Sequence, residues 1–227
     1  MDATDATVEQ QVPHRGGPAM TIIPPALRRG SRVHVIAPSG PFDRCLMLRG
    51  AGWLSQHFKV SMRRDLFDKR GFLAGSDERR LQELSEALAD PSIDAVVTAR
   101  GGHGLLRIVH AAPIGALKQH PKWVIGFSDP TALHCEIAKL GVATLHAANV
   151  AGLGRGDEVG RSEWLRAVMS PTQPRRLSGQ TWRRGLVRGP LVGGNLTILT
   201  MLAAAGRLSL PNECILAIED VTETSYR

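Results

Sequence analysis

The sequence predicts an α/β protein whose mostly parallel sheet is covered by helices. Two observations carry this expectation. Short apolar runs alternate with longer helical patterns, and those runs are apolar on both faces, as strands buried beneath helices must be. Residues 32–38 (RVHVIAP), 95–100 (AVVTAR), 122–128 (KWVIGFS), 142–148 (VATLHAA) and 214–220 (CILAIED) read as the strands. Each is rich in β-branched or aliphatic residues and too short for a helix of ordinary length.

Taken in order, residues 1–19 are polar, contain Pro and Gly, and are expected to form a disordered tail. The first strand runs into Pro38-Ser39-Gly40, and a helix is expected over 41–57. A second helix spans 76–90, with Ser76 placed to cap it. Further helical patterns cover 103–111, 130–140 ending at Gly141, 161–169, and 195–205 ending at Gly206. An α/β domain is expected over 20–151 and a Gly/Pro/Arg-rich linker over 152–182. Residues 183–227 then begin a C-terminal domain, and about 40 residues are too few for a core of their own.

The chain has 227 residues, 43% hydrophobic and 22% charged, an ordinary globular composition. No apolar run approaches a membrane span, and the N-terminus has neither a basic segment nor an apolar core, so a cytoplasmic chain without a membrane partner is expected. The net charge of +7 is spread over many segments, and with 4% aromatic residues no stacking platform accompanies it; a nucleic-acid partner is not expected. Cys45, Cys135 and Cys214 are far apart and odd in number, which points to buried thiols rather than disulfides or a zinc site.

Ligands of such sheets bind at the carboxyl ends of the strands, where Ser39, Gly101, Gly102 and Ser128 fall. In VIGFSDPTALH (124–134) a strand ends at Gly126, and Pro130 opens a helix. Ser128 and Asp129 are good helix caps and Pro suits the first turn, so folding alone explains them. A strand–turn–helix junction also lifts a serine hydroxyl above the sheet edge. The nucleophile-elbow pattern has a second glycine where this chain has Pro130, and both readings stand on local sequence. ARGGHGLL (99–106) places three glycines within four residues after a strand. Such a turn can aim successive N–H groups at an anion or oxyanion, whereas the dinucleotide spacing is absent. His103 in that turn reads as a pocket-wall or surface residue.

FLAGSDERRLQEL (72–84), ARGGHGLLRIV (99–109), VIGFSDPTALH (124–134), LVGGNLTIL (191–199) and CILAIEDVTETSYR (214–227), in that order, resemble the LD-carboxypeptidase family of serine peptidases. The family includes murein tetrapeptide carboxypeptidases and microcin C self-immunity peptidases. The resemblance implies a Ser-His-Glu hydrolase without metal or organic cofactor. Its N-terminal domain would be flavodoxin-like, a doubly wound parallel sheet, and would carry the nucleophile; the acid and base would lie in a C-terminal domain. Ser128 matches the nucleophile and Glu219 the glutamate that orients the histidine. Backbone N–H groups of Gly102 and Asp129 would form the oxyanion hole, and Ser39, Gly101, His103 and Asn195 would lie near the substrate. Arg100 or Arg107 would supply charge for a murein peptide bearing several carboxylates. His146 stands where many members have His-Gly-Pro; here His-Ala-Ala-Asn departs from that pattern. Family members are often dimers, so a homodimer is expected by resemblance alone.

The eight histidines, at 14, 34, 57, 103, 110, 120, 134 and 146, all precede Glu219. The expectation is a chain truncated before the family base and essentially inactive as it stands. His134 lies six residues past Ser128, about 9 Å along a helix and on another face, and His103 would have to reach both Ser128 and Glu219. Two alternatives accompany this reading. One is a microcin-immunity-type peptidase that uses an aromatic platform such as Trp182 for adenine, and the other is a non-catalytic peptide-binding relic.

Overall fold

A computed structural model describes residues 21–221; the expected tail at 1–19 and the final residues of the last motif lie outside the described residues. Five strands, β1 (Arg32–Ile36), β2 (Lys59–Met62), β3 (Ala95–Thr98), β4 (Trp123–Gly126) and β5 (Leu145–His146), form one sheet in the order β2-β1-β3-β4-β5. Every pairing is parallel, with Val35 opposite Val97, Val97 opposite Ile125 and Gly126 opposite His146. This is the flavodoxin-like order. It places a topological switch between β1 and β3, where the connections leave in opposite directions and a crevice opens at the strand ends.

The expected two-sided burial is present in detail. Val33, Val35, Ala95, Val97, Trp123 and Ile125 face one core, packed with Met47 and Leu54 of α1 (Arg44–Ser55). Val150 and Leu153 of α5 (Val150–Arg155) and Trp164 and Val168 of α6 (Glu158–Met169) complete that side. Ile36, Val96 and Val124, one residue out of phase, face the other core. There they meet Leu84 and Leu88 of α2 (Asp77–Ala89), Leu133 and Ile137 of α4 (Thr131–Ala138), and Ile198 and Leu202 of α7 (Leu196–Ala204). Alternate residues of a strand point to opposite faces, so one unbroken apolar run serves both cores. Each fully buried aliphatic side chain contributes about 1.5–3 kcal/mol, and these two layers dominate the stability.

The differences from expectation have local causes. Edge strand β2 reads KVSM, with polar residues at alternate positions, and gives no apolar run. Residues 103–111 form two short 3₁₀ turns, Leu105–Arg107 and Val109–Ala111, rather than a helix. A short helix, α3 (Ala116–Gln119), follows them. The helix expected over 161–169 spans 158–169, with Trp164 and Val168 buried, and within the stretch expected to be a linker 170–190 carry no regular element. Two further strands, β6 (Leu191–Asn195) and β7 (Ile215–Glu219), pair in parallel as a separate sheet. Of the thiols, Cys135 is buried, Cys214 is partly so, and Cys45 is exposed on the outer side of α1.

Candidate active site

β4 ends at Gly126, and the chain turns sharply into α4. Within that turn Ser128 has φ of 71°, one of two described non-glycine residues in the left-handed region. Its carbonyl accepts the Thr131 N–H at 2.9 Å, while Pro130 occupies the position before the helix. Among the described residues the half-buried Ser128 hydroxyl makes no hydrogen bond, so it caps none of them. A strained serine on a strand-to-helix turn, its hydroxyl unpaired, is the geometry of a nucleophile elbow, with Pro130 in place of the usual second glycine.

The Gly-rich turn leaving β3 lies directly against it. A Cβ placed on Gly101 would come within 2.9 Å of the Ser128 Cβ and 3.1 Å of its Oγ, so only glycine permits this approach. Gly102 has φ of 108°, open to glycine and strained for any other residue. Among the described residues neither the Gly102 N–H nor the Asp129 N–H has an acceptor. The Asp129 carboxylate is fully buried and accepts the Leu105 N–H at 2.9 Å, tying the elbow to the Gly-rich turn. Burial pushes its pKa above the ordinary carboxylate range, opposed by the Ser39 hydroxyl and the Leu105 N–H. Ser39 is also fully buried; its hydroxyl and the Asp129 Oδ1 form no hydrogen bond of regular geometry. The Gly40 N–H donates to the Gly101 carbonyl at 3.0 Å and closes the crevice between the β1 and β3 turns.

Three residues that sequence reasoning did not single out hold this crevice from α2. The guanidinium of Arg80, wholly buried, donates to the Pro38 carbonyl at 2.5 Å and the Gly104 carbonyl at 2.9 Å, and pairs with Asp77. Glu83, also buried, accepts the Ala37 N–H at 2.7 Å and two N–H groups of Arg79. Burial pushes the Glu83 carboxyl up to about 7 against the pull of Arg79. The signal was present in SDERRLQEL: Arg80 and Glu83 fall on the face of Leu84, Ala87 and Leu88, where unpaired charge would be costly.

The C-terminal unit docks on the start of α4. The Asn195 N–H donates to the Thr131 hydroxyl at 2.9 Å, and the Asn195 side chain caps α7 by accepting the Ile198 N–H at 3.2 Å. Gly193 and Gly194 make this possible. A Cβ on the first would lie 1.7 Å from the Ala217 carbonyl oxygen, and one on the second 2.5 Å from the Thr131 methyl. The β6–β7 register sets Asn195 opposite Glu219, whose Oε1 is buried without a hydrogen bond among the described residues. The His146 Nε2 lies 3.6 Å from that oxygen. The His146 ring also stands edge-on to Phe127 at 6.2 Å and 6.0 Å from His134. Burial lowers its pKa, with Glu219 pulling the other way. Asp220 instead accepts the Thr197 N–H and hydroxyl at 3.0 and 2.8 Å.

The other expected residues fall as follows. Arg100 is exposed and donates to the Pro41 carbonyl on the rim. Arg107 is exposed and pairs with Asp77 at 2.7 Å. His103 is exposed, its ring 5.7 Å from Phe72. His134 is buried on α4 with Nε2 against the Gly126 carbonyl at 2.9 Å, and burial lowers its pKa to about 4, which makes it a structural histidine. Trp182 is 96% exposed and packs on nothing in the site. Among the described residues no three His, Cys, Asp or Glu side chains are grouped to hold a metal, and no helix is long and apolar enough to cross a membrane.

Comparison with known proteins gives a consistent picture. Residues 33–147 match the family described as LD-carboxypeptidase N-terminal domain. The chain is 36% identical over 207 residues to a putative carboxypeptidase of Synechocystis, covering 90% of this chain and 68% of that protein. It is 31% identical over 209 residues to the murein tetrapeptide carboxypeptidase of Pseudomonas aeruginosa, covering 86% and 68%. Its structure superposes on muramoyltetrapeptide carboxypeptidase from Oxalobacter formigenes with a TM-score of 0.78 at 27% identity, over 87% of this chain and 68% of that one.

Proposed function

Because this chain belongs to the LD-carboxypeptidase family of serine peptidases, we propose that it releases the terminal D-alanine of murein tetrapeptides, with Ser128 as the nucleophile. The observation that carries the assignment is the left-handed, hydrogen-bond-free Ser128 set against Gly101 at the switch-point crevice. The Ser128 Oγ attacks the carbonyl joining the L-centre of meso-diaminopimelate to D-alanine, and its proton passes to an imidazole. The N–H groups of Gly102 and Asp129 receive the oxyanion, where each pre-aimed donor is worth roughly 10²–10³ in rate. D-alanine leaves with the proton returned to its nitrogen, and water then hydrolyses the acyl-enzyme. Glu219 orients the imidazole and stabilises its charged form. Arg100 on the rim receives a substrate carboxylate. Residues from 183 onward contribute to a C-terminal domain whose acid completes the site.

The test is D-alanine release from murein tetrapeptide by the purified chain, compared with Ser128→Ala. Release that falls by on the order of 10⁴ in the variant supports the assignment. Release unaffected by Ser128→Ala overturns it. Inhibition by an adenosine monophosphate analogue in the same assay would instead favour an immunity-type peptidase.

A further inference from the structure

We propose that Asn149 is a positioning residue for Ser128, its side-chain amide locking the peptide that leads into the nucleophile. The inference rests on the assignment of Ser128 as nucleophile and deepens it. Asn149 closes the His-Ala-Ala-Asn loop and stands at the N-cap of α5, yet its side chain makes no capping bond to that helix. It is 3% exposed and turns instead to the elbow. Its Oδ1 accepts the Phe127 N–H at 3.3 Å, and its Nδ2 donates to the Phe127 carbonyl at 3.5 Å. The same Oδ1 accepts the hydroxyl of Thr98, a wholly buried residue at the end of β3. One amide thus holds both polar groups of the residue before Ser128 and is itself oriented from a neighbouring strand. Gly126 makes room for this, since a Cβ there would lie 2.3 Å from the Thr98 Oγ1. The backbone is pinned on either side of Asn149: the Ala147 N–H donates to the Gly126 carbonyl at 3.2 Å and the Ala151 N–H to the Ala99 carbonyl at 3.0 Å.

The contact bears on the strain at Ser128, whose φ is 71°. That strain is relieved by rotating the Phe127–Ser128 peptide plane, which swings the Phe127 carbonyl and the Ser128 N–H together and returns φ to negative values. Such a rotation requires the Phe127 carbonyl to leave the Asn149 Nδ2. The carbonyl is also confined from β3, since a Cβ on Gly101 would come within 3.0 Å of its oxygen. Ser128 is thereby held over the crevice by a side chain that touches neither substrate nor the reacting atoms. Thr98 and Asn149 are both buried, so a bond lost between them and the elbow is not readily replaced by water. Asn149→Asp keeps the Oδ1 acceptor and sets a carboxylate oxygen where the Phe127 carbonyl meets its donor, so it removes the lock at one atom. Thr98→Val keeps the shape and removes the hydroxyl that orients the amide.

The test reads Ser128 in two ways. Scalar couplings across its N–Cα bond report φ by NMR, and labelling by a fluorophosphonate, followed by peptide mass mapping, reports its reactivity. In the wild-type chain the couplings are those of a left-handed residue. In Asn149→Asp and Thr98→Val, each checked for folding by urea denaturation, the couplings shift toward negative φ and labelling slows about tenfold, the bias that one lost hydrogen bond removes. Thr98→Ser, which returns the hydroxyl, regains the rate lost in Thr98→Val. If Asn149→Asp does not fold, Thr98→Val carries both readings. Left-handed couplings retained in the folded variants overturn the proposal, whatever the labelling rate. Label found on a residue other than Ser128 removes the nucleophile assignment, while the couplings still decide whether Asn149 holds the elbow.

Discussion

At the residue scale, Ser128 carries the clearest mark of function. A side chain in the left-handed region costs on the order of 1 kcal/mol, and the fold maintains it here through the Thr131 N–H, the Gly101 approach and the buried Asp129. Ser128→Gly should therefore raise the unfolding free energy by about 1 kcal/mol, while Ser128→Ala, which keeps the strain, should stay within about 0.5 kcal/mol of wild type. Urea denaturation of the three chains measures this. A cap would behave differently: Ser128→Ala would then cost about 1 kcal/mol. Local sequence favoured the cap, because Ser, Asp and Pro in that order suit a helix start and the second glycine of an elbow is absent. The backbone dihedral and the empty hydroxyl, which are tertiary outcomes, separate cap from nucleophile.

At the scale of elements, α2 organises the crevice from beneath. Arg80 satisfies carbonyls of two different turns, those after β1 and β3, and Arg79 with Glu83 fixes the Ala37 peptide on both its N–H and C=O sides. Replacing Arg80 by Met fills the space but leaves the Pro38 and Gly104 carbonyls unpaired in a dry site. The expected loss is about 3 kcal/mol, seen in the denaturation midpoint, with slower labelling of Ser128 by a fluorophosphonate as the turns loosen. The elements most legible in the sequence were those buried on both faces, since burial demands unbroken apolar runs such as AVVT and WVIG. Strand β6 escaped notice because LVGGN reads as a turn, and its glycines are explained only by the Ala217 and Thr131 atoms they must approach.

For the whole molecule, the five-stranded sheet and the β6–β7 pair differ in how they are held. The central strands are buried between two helical layers, whereas Ile215, Leu216 and Ile218 of β7 and Leu191 of β6 are exposed. A two-stranded pair has little stability of its own, and here its anchors are α7 in the core and Asn195 on Thr131. Amide hydrogen exchange should show β6 and β7 opening at a free energy several kcal/mol below that of β1, β3 and β4, in a separate phase. Uniform protection across both sheets would contradict this. Since Glu219 sits in β7, such opening would also carry its carboxylate away from His146 without global unfolding.

The sequence by itself determined the α/β class, the strands under the helices and the turns at their carboxyl ends, because burial and glycine geometry leave periodic, local marks. It also determined the family, through five motifs kept in order. Tertiary structure alone decided that Ser128 caps none of the described residues, that Arg80 and Glu83 brace the crevice, and that His146 meets Glu219. Those facts depend on strand order and on the docking of one sheet against another, which bring together residues whose sequence neighbours give no sign of the contact.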